Sequence, residues 1–429
     1  MNRRDFIIKS GLSSSIFSIV PSSVLGFNGV SPNNKIQIGF IGAGRQGRGL
    51  MKNFTEYNEC QIIAVSDVDS QKVDFFSEEF ENKILKDNKK KVYIKKFEFY
   101  REMLQSTSVD AVVIATPDHW HAQMSVDSAK NGKDIYCEKP LSSTIAEGRA
   151  MVTSARKYNI VYQTGSMQRS WKHFRHAVEL IQNGYIGEIK EVNVAIGDPH
   201  KHCDLPSLKA PDHLNWNEWI GPVPYRGYHP DLACLLEDKR WGQWRNYKPF
   251  GGGMITDFGA HMFDIVQWAL EMDNSGPKLF VPPKKNATLG LSYYYDNEVK
   301  VNHIKWGKGN NEIQFIGSEG KLEVSRRYLK TSPDKSLKDL LIPKNATKRV
   351  YQSDNHHLDW LNSIKNRTRP ICDVEIGHRT ASVCNICNIA YDLQRDLEWD
   401  AKKEIFVRDE SANLLIDRPY RGNWNYKEF

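Results

Sequence analysis

Apolar positions in the first third of the chain alternate between two rhythms. Strand-like runs fall at 36–41, 61–66, 109–115, 134–137 and 160–164. The stretches between them, 48–55, 70–82, 98–105, 120–131 and 144–157, carry helical spacing. Strands that alternate with helices predict a parallel sheet covered on both faces, a doubly wound α/β fold. The charged run Lys86 to Lys91 reads as a solvated loop before a short strand at 92–94. From about 185 the rhythm changes. Strand-like runs at 189–196, 287–295, 299–306, 312–316 and 321–324 are separated by turns such as Gly317-Ser-Glu-Gly320, which predicts a mainly antiparallel sheet. Residues 199–253, rich in Trp, Pro and Gly, read as a long functional loop. Helices at about 355–366 and 376–394 are expected to pack back on the first domain. No internal repeat is evident.

The chain has 429 residues and 40% apolar content, enough for two cored domains. The expected division is 1–33 signal and linker, 34–165 Rossmann domain and 166–429 a C-terminal α/β domain with a large open sheet. No run approaches the roughly 20 apolar residues of a membrane span. The net charge of +7 is a mild excess spread along the chain. It does not suggest nucleic-acid binding, and it would welcome an anionic substrate.

Asn2-Arg3-Arg4-Asp5-Phe6-Ile7-Ile8-Lys9 resembles a twin-arginine signal, with a Ser-diluted apolar stretch from Ser10 to Val20 and small residues near Gly26. The expectation is export in the folded state to the periplasm. The alternative is a basic arm on a cytoplasmic enzyme. Seven scattered cysteines, odd in number, agree with folding in a reducing compartment. Cys384-Asn-Ile-Cys387 has metal-ligand spacing but no second pair, so buried thiols are expected there.

The first strand-like run ends in Gly42-Ala43-Gly44-Arg45-Gln46-Gly47, a GxGxxG turn. A second run ends at Asp67, 20 residues beyond Gly47. In this context each residue has a physical task. Gly42 makes the tight turn, and Gly44 lets the backbone approach a pyrophosphate at a helix N-terminus. Gly47 allows close packing of helix and strand. Asp67 accepts from the adenosine ribose hydroxyl and repels a 2′-phosphate, so NAD is expected over NADP, with Arg45 partly softening the preference.

Ala115-Thr116-Pro117-Asp118-His119-Trp120-His121 follows a strand, and Glu138-Lys139-Pro140 follows the next, where open parallel sheets bind ligands. Lys139 is suited to hold a nicotinamide ribose and a substrate hydroxyl. Asp257 and His261, four apart, share a helix face, where a carboxylate would orient the imidazole and raise its pKa. His200-Lys-His202 and His356-His357 read as loop surface or substrate contact and as helix neighbours rather than a metal site. Trp216, Trp219, Trp241 and Trp244 are candidates for stacking on a sugar face.

The sequences GAGRQG, TPDHWHA, CEKPLS, WNEWIGPVPYRGYHP and GGGMITDFGAHMFD resemble the Gfo/Idh/MocA oxidoreductases from about residue 34 to the end. The resemblance implies NAD as cofactor and an open C-terminal sheet that forms homo-oligomer contacts. It implies Lys139 near the nicotinamide, Asp257 and His261 as the substrate and acid/base pair, and Thr116, Pro117, His121 and Glu138 as cofactor contacts. It further suggests hydride transfer on a carbohydrate or glycoside. One alternative is a redox-neutral glycosidase that uses NAD catalytically, although the chain has Asp257-Phe-Gly-Ala-His261 where family 109 glycosidases resemble one another in a Thr-His-Gly element. Another is a non-catalytic sugar-binding member.

Overall fold

The computed structural model describes residues 35–428, apart from 89–91, 285–286, 308, 310 and 344. The twin-arginine-like segment therefore lies outside the described residues.

The first domain is a six-stranded sheet. Its strands are β1 (Ile36–Ile41), β2 (Cys60–Ser66), β3 (Lys95–Phe97), β4 (Ala111–Ile114), β5 (Asp134–Cys137) and β6 (Tyr162–Thr164), in the order β3-β2-β1-β4-β5-β6 with every pair parallel. Strand periodicity distributes its apolar residues between two cores. Ala111 and Val113 of β4 join Phe40, Leu50 and Phe76 on one face, while Val112 and Ile114 join Ile41, Ile135 and Met151 on the other.

Its helices are α1 (Arg45–Phe54), α2 (Ser70–Asn88), α3 (Tyr100–Leu104), α4 (His121–Lys130) and α5 (Ile145–Lys157). Thr144 and Glu147 form a reciprocal capping box that starts α5. Two expectations shift. Helix α1 begins inside the glycine turn rather than at 48, and the short strand expected at 92–94 pairs instead at Lys95–Phe97.

The second domain is a nine-stranded sheet. Its strands are β7 (Ile189–Ala195), β8 (Leu279–Val281), β9 (Ser292–Tyr294), β10 (Lys300–His303), β11 (Glu312–Gly317), β12 (Lys321–Ser325), β13 (Leu329–Ser332), β14 (Leu397–Asp400) and β15 (Ile405–Phe406), in the order β13-β12-β11-β7-β10-β9-β8-β14-β15. Only β7 and β10 pair in parallel. Periodicity does not reveal strands β8, β13, β14 and β15. They are short, and their pattern is too brief for alternation to show.

One face of this sheet buries Val192, Val194, Tyr293, Val301 and Phe315 beneath the helices α6 (Lys172–Gln182), α7 (Gly259–Ala269) and α9 (Val374–Leu393). The other face carries a polar row. Ser292 donates to Asn302, Asn302 to Asn193, Asn193 to Gln314 and Gln314 to Glu323, at 2.7–3.1 Å.

Two elements tie the domains together. Helix α8 (His356–Asn366) places Trp360 and Leu361 in the Rossmann core, and α9 places Val374 and Ala381 there. A Cβ on Gly148 of α5 would lie 2.4 Å from His378 Nδ1, and one on Gly377 of α9 would lie 2.2 Å from Thr164 Oγ1. The contact therefore requires glycine on both sides.

The 199–253 segment is not an unstructured loop. It has a core of its own, with Leu214, Trp216, Trp219, Ile220, Val223, Leu232, Trp244 and Phe250 buried together. This cap docks on the Rossmann domain: Ser70 N–H donates to His213 O and Trp120 Nε1 to Trp219 O.

Candidate active site

A cleft of about 980 Å³ runs along the carboxyl ends of the Rossmann strands, between that domain, the cap and the second sheet. Its two ends are built differently.

The nucleotide end is made of backbone. Gly42 has φ +102°, which L side chains rarely adopt, and a Cβ there would meet Ala115 O at 2.7 Å. A Cβ on Gly47 would lie 2.1 Å from Gly42 O. Gly44 differs from both. Its φ of −68° suits any residue, and a Cβ there would have nothing within 4 Å. Its missing side chain leaves open space in the cleft wall, at the N-terminus of a helix that no side chain caps. A pyrophosphate fits that cradle.

Asp67 also lines the cleft. Its Oδ2 accepts from Ala43 N–H at 2.7 Å and its Oδ1 from Asp69 N–H at 3.0 Å, so each oxygen keeps a second acceptor position for a ribose. Ala43 itself is fully buried and acts through that N–H. Gln46 donates to Glu138 Oε1 at 2.8 Å, and burial raises the Glu138 pKa. Thr116, Pro117 and Glu138 line the cleft as expected positions for cofactor contact.

Two expectations at this end need correction. Arg45 is not free to soften a 2′-phosphate preference, because it donates to Lys239 O of the cap and lies 4.6 Å from the Trp241 ring. His121 does not reach the cleft. It is fully buried, with ring nitrogens 2.9 Å from Pro140 O and 3.1 Å from Thr116 O, and burial lowers its pKa to about 4. It braces the two turns that carry Thr116 and Lys139.

The substrate end is made of side chains. Lys139 Nζ pairs with Asp257 Oδ1 and donates to the Asp257 carbonyl at 3.0 Å. That carbonyl is available because the helix breaks there. A turn at Met254–Asp257 ends at Phe258, and His261 N–H bonds Phe258 O rather than Asp257 O. Asp257 Oδ2 lies 3.7 Å from Arg245 Nε. Burial alone would raise the Asp257 pKa, but Lys139 and Arg245 outweigh it and hold the carboxyl below its ordinary value.

The expected Asp257–His261 pair does not form, because the carboxylate turns to Lys139. Burial, with Lys139 and Arg326 adding to it, drives the His261 pKa well below the ordinary range rather than raising it. Its imidazole is neutral, and Nδ1 is buried with no partner.

Three cleft residues are not among the site residues expected from the sequence. Asp118 sits inside the TPDHWHA motif, buried on a short 3₁₀ turn. Burial raises its pKa strongly, with Asp257 adding to the shift. Arg245 comes from the cap and packs over Trp244 at 4.2 Å. Arg326 comes from the turn between β12 and β13. None of the three lies near Lys139 in sequence or in a spacing that marks it.

Of the four tryptophans, Trp216 and Trp219 stack on each other at 4.8 Å and are buried, as is Trp244. Trp241, 46% exposed, faces the cleft between Arg45 and Arg245. His200 pairs with Asp392 at 3.0 Å and His356 lies 3.0 Å from Ser170 Oγ. Cys384 and Cys387 are buried and free. Among the described residues no group of three or more His, Cys, Asp or Glu is placed to hold a metal ion. No helix among them is long and apolar enough to cross a membrane.

A parallel dinucleotide sheet, joined to an open α/β sheet with a Lys–Asp pair between them, defines a two-domain oxidoreductase. The chain belongs to the Gfo/Idh/MocA family. Residues 36–166 match its "oxidoreductase family, NAD-binding Rossmann fold" profile, and 199–426 its "oxidoreductase family, C-terminal alpha/beta domain" profile. The cofactor of the Rossmann domain is NAD.

The chain is similar to a myo-inositol 2-dehydrogenase of Thermotoga maritima, 27% identical over 165 residues, which is 38% of this chain and 46% of that protein. It is similar to a glycosyl hydrolase family 109 protein of Shewanella woodyi, 33% identical over 140 residues, 32% of this chain and 28% of that one. These matches span less than half the length of either relative. Among solved structures, the WlbA dehydrogenase from Bordetella pertussis, in complex with NADH and UDP-GlcNAcA, shares the fold with a TM-score of 0.60 at 15% identity, covering 85% of this chain and 99% of that one.

Proposed function

We propose that this protein interconverts an alcohol and a carbonyl on a sugar or glycoside. The observation that carries the reading is Lys139: its ammonium is held by the side chain and carbonyl of Asp257 beside a neutral His261, in the same cleft as the uncapped glycine turn. When bound, the nicotinamide supplies the hydride acceptor or donor. The chain's own residues do the rest. Gly42, Gly44 and Asp67 seat the dinucleotide. Lys139 Nζ holds the reacting oxygen and passes its proton in either direction, with Asp257 fixing its position. His261 offers an uncharged ring for a neighbouring hydroxyl.

A second reading draws on the family 109 relative. The same groups would oxidise the sugar, let the glycosidic oxygen leave, add water and reduce again, with no net change in NAD. Export in the folded state, with cofactor inside, is supported by the Arg3-Arg4 segment and by free cysteines that need no oxidising compartment. The polar row on the open sheet supports assembly into a homo-oligomer through that face. Its side chains are already held in one geometry, ready to meet a second copy.

The test is to purify the protein, denature it, quantify released dinucleotide, and then follow NADH absorbance with a panel of sugars. Net NADH supports the first reading, and glycoside cleavage without it supports the second. Neither change with any sugar, by a protein that holds cofactor, overturns both.

A further inference from the structure

Among the described residues Arg326 is the cation of the substrate end that makes no ion pair. It is exposed to the cleft on the β12–β13 turn. Its Nε donates to Gln168 Oε1 at 2.8 Å, and Gln168, itself buried, donates to the His261 carbonyl at 3.3 Å. Its guanidinium packs 5.3 Å from the Phe258 ring and 5.7 Å from Trp171. The fork is therefore gripped by one nitrogen and by its faces, and it is tied to the helix that carries His261.

The other two cations here share Asp257, Lys139 directly and Arg245 at 3.7 Å. Among the described residues Arg326 has no carboxylate in ion-pair reach, and its terminal nitrogens donate to no protein acceptor. A fixed planar fork with a free edge matches a planar carboxylate in two parallel hydrogen bonds. Asp257, at the Lys139 end, would repel an anion there and so sets the orientation. A sugar whose hydroxyl lies at Lys139 and His261 would place its acid group toward Arg326.

We propose that Arg326 receives a carboxylate of the substrate, so that the protein acts on uronates or uronosides rather than neutral sugars. This inference rests on the reading of the cleft as a sugar-oxidising centre. A planar fork with one free edge suits a planar carboxylate better than a tetrahedral anion.

The experiment compares methyl glucuronide and methyl galacturonide with the matched methyl glucoside and galactoside, in the wild type, Arg326→Gln and Arg326→Lys. Cofactor-loaded protein is used, with NADH formation and glycoside cleavage both followed. The wild type should favour at least one uronide over its neutral partner by at least tenfold in kcat/KM. Arg326→Gln should lose at least tenfold on that uronide, chiefly through KM, and change the neutral sugar less than threefold. Arg326→Lys, which keeps the charge but not the fork, should recover part of the loss. Equal use of uronide and neutral sugar by the wild type, or equal damage to both by Arg326→Gln, would overturn the inference.

If no sugar reacts, calorimetric titration with the uronides separates the two ideas. Uronide binding that is lost in Arg326→Gln keeps the carboxylate site and discards the redox reading. No binding by the wild type discards the carboxylate site as well. Thermal unfolding of Arg326→Gln within a few degrees of the wild type shows that the loss is not a folding defect.

Discussion

The two ends of the cleft do the same task, holding a ligand, with different materials. The nucleotide end uses backbone: a left-handed glycine, an open glycine and the bare start of a helix, all within the turn 42–47. The substrate end uses side chains that arrive from a Rossmann strand end, a broken helix, the cap and a turn of the second sheet. A site of backbone tolerates little change. A site of side chains from separate segments can be re-cut residue by residue without disturbing the frame.

The comparison breaks first at Lys139. Lys139→Met should lower turnover by about 10³-fold, the scale of a lost proton-transfer group, while released dinucleotide per chain stays unchanged. Retained turnover would remove the chemical end from this site.

The glycines test the backbone end. Gly47→Ala forces a Cβ against Gly42 O and should destabilise the fold by about 2 kcal/mol, measured by denaturant unfolding. Gly44→Ala meets no protein atom, so its unfolding midpoint should match the wild type. Its affinity for NAD should still fall by about tenfold, about 1.4 kcal/mol, because the added methyl occupies the cofactor's space. A Gly44→Ala protein with unchanged NAD affinity would mean that the open cradle is not where the pyrophosphate sits.

Asp67→Ser should reduce the preference for NAD over NADP by about tenfold without inverting it, since Arg45 remains tied to Lys239 and Trp241. Inversion would show that the cap releases Arg45.

The last test concerns pH, which acts on the frame rather than on either end of the cleft. His119 and His356 have pKa values lowered to about 3 by burial, and His121 and His357 to about 4. At these four imidazoles the folded state binds fewer protons than the unfolded chain. Stability is complete above the unfolded value near 6.5 and declines as pH falls from there toward 4. The melting temperature should drop by several degrees between pH 7.5 and pH 5. Asp257, held below its ordinary range, stays ionised over that interval, so acid should weaken the frame before it dissolves the Lys139–Asp257 pair. A melting temperature independent of pH would contradict this order.

The same difference explains how much of the molecule is legible in its amino-acid sequence. The strands β1, β2, β4, β5 and β6, the turn 42–47 and Asp67 are local patterns, and local physics fixes them. The cap reads as loop because of its Trp, Pro and Gly content, whereas its aromatics pack on one another. The pairing of Asp257 is not legible because helical spacing alone places it over His261. The decisive partner, Lys139, is 118 residues away, and the break at Phe258 turns the chain toward it. Arg245 and Arg326 lie in stretches with no motif around them, and only the assembled cleft selects them from the other arginines.

Helix α9 has a mechanical consequence. Its surface is shared between both domains and locked by Gly148 and Gly377, with Arg149 bridging to Glu375 and Glu404. A wall common to two bodies is not a hinge. The cap leans on the cleft from outside, with Arg45 and Trp241 among its contacts to the binding turn. Trp241 is thus a seam between cap and turn, one that can be altered without replacing either a glycine of the turn or the Lys139–Asp257 pair.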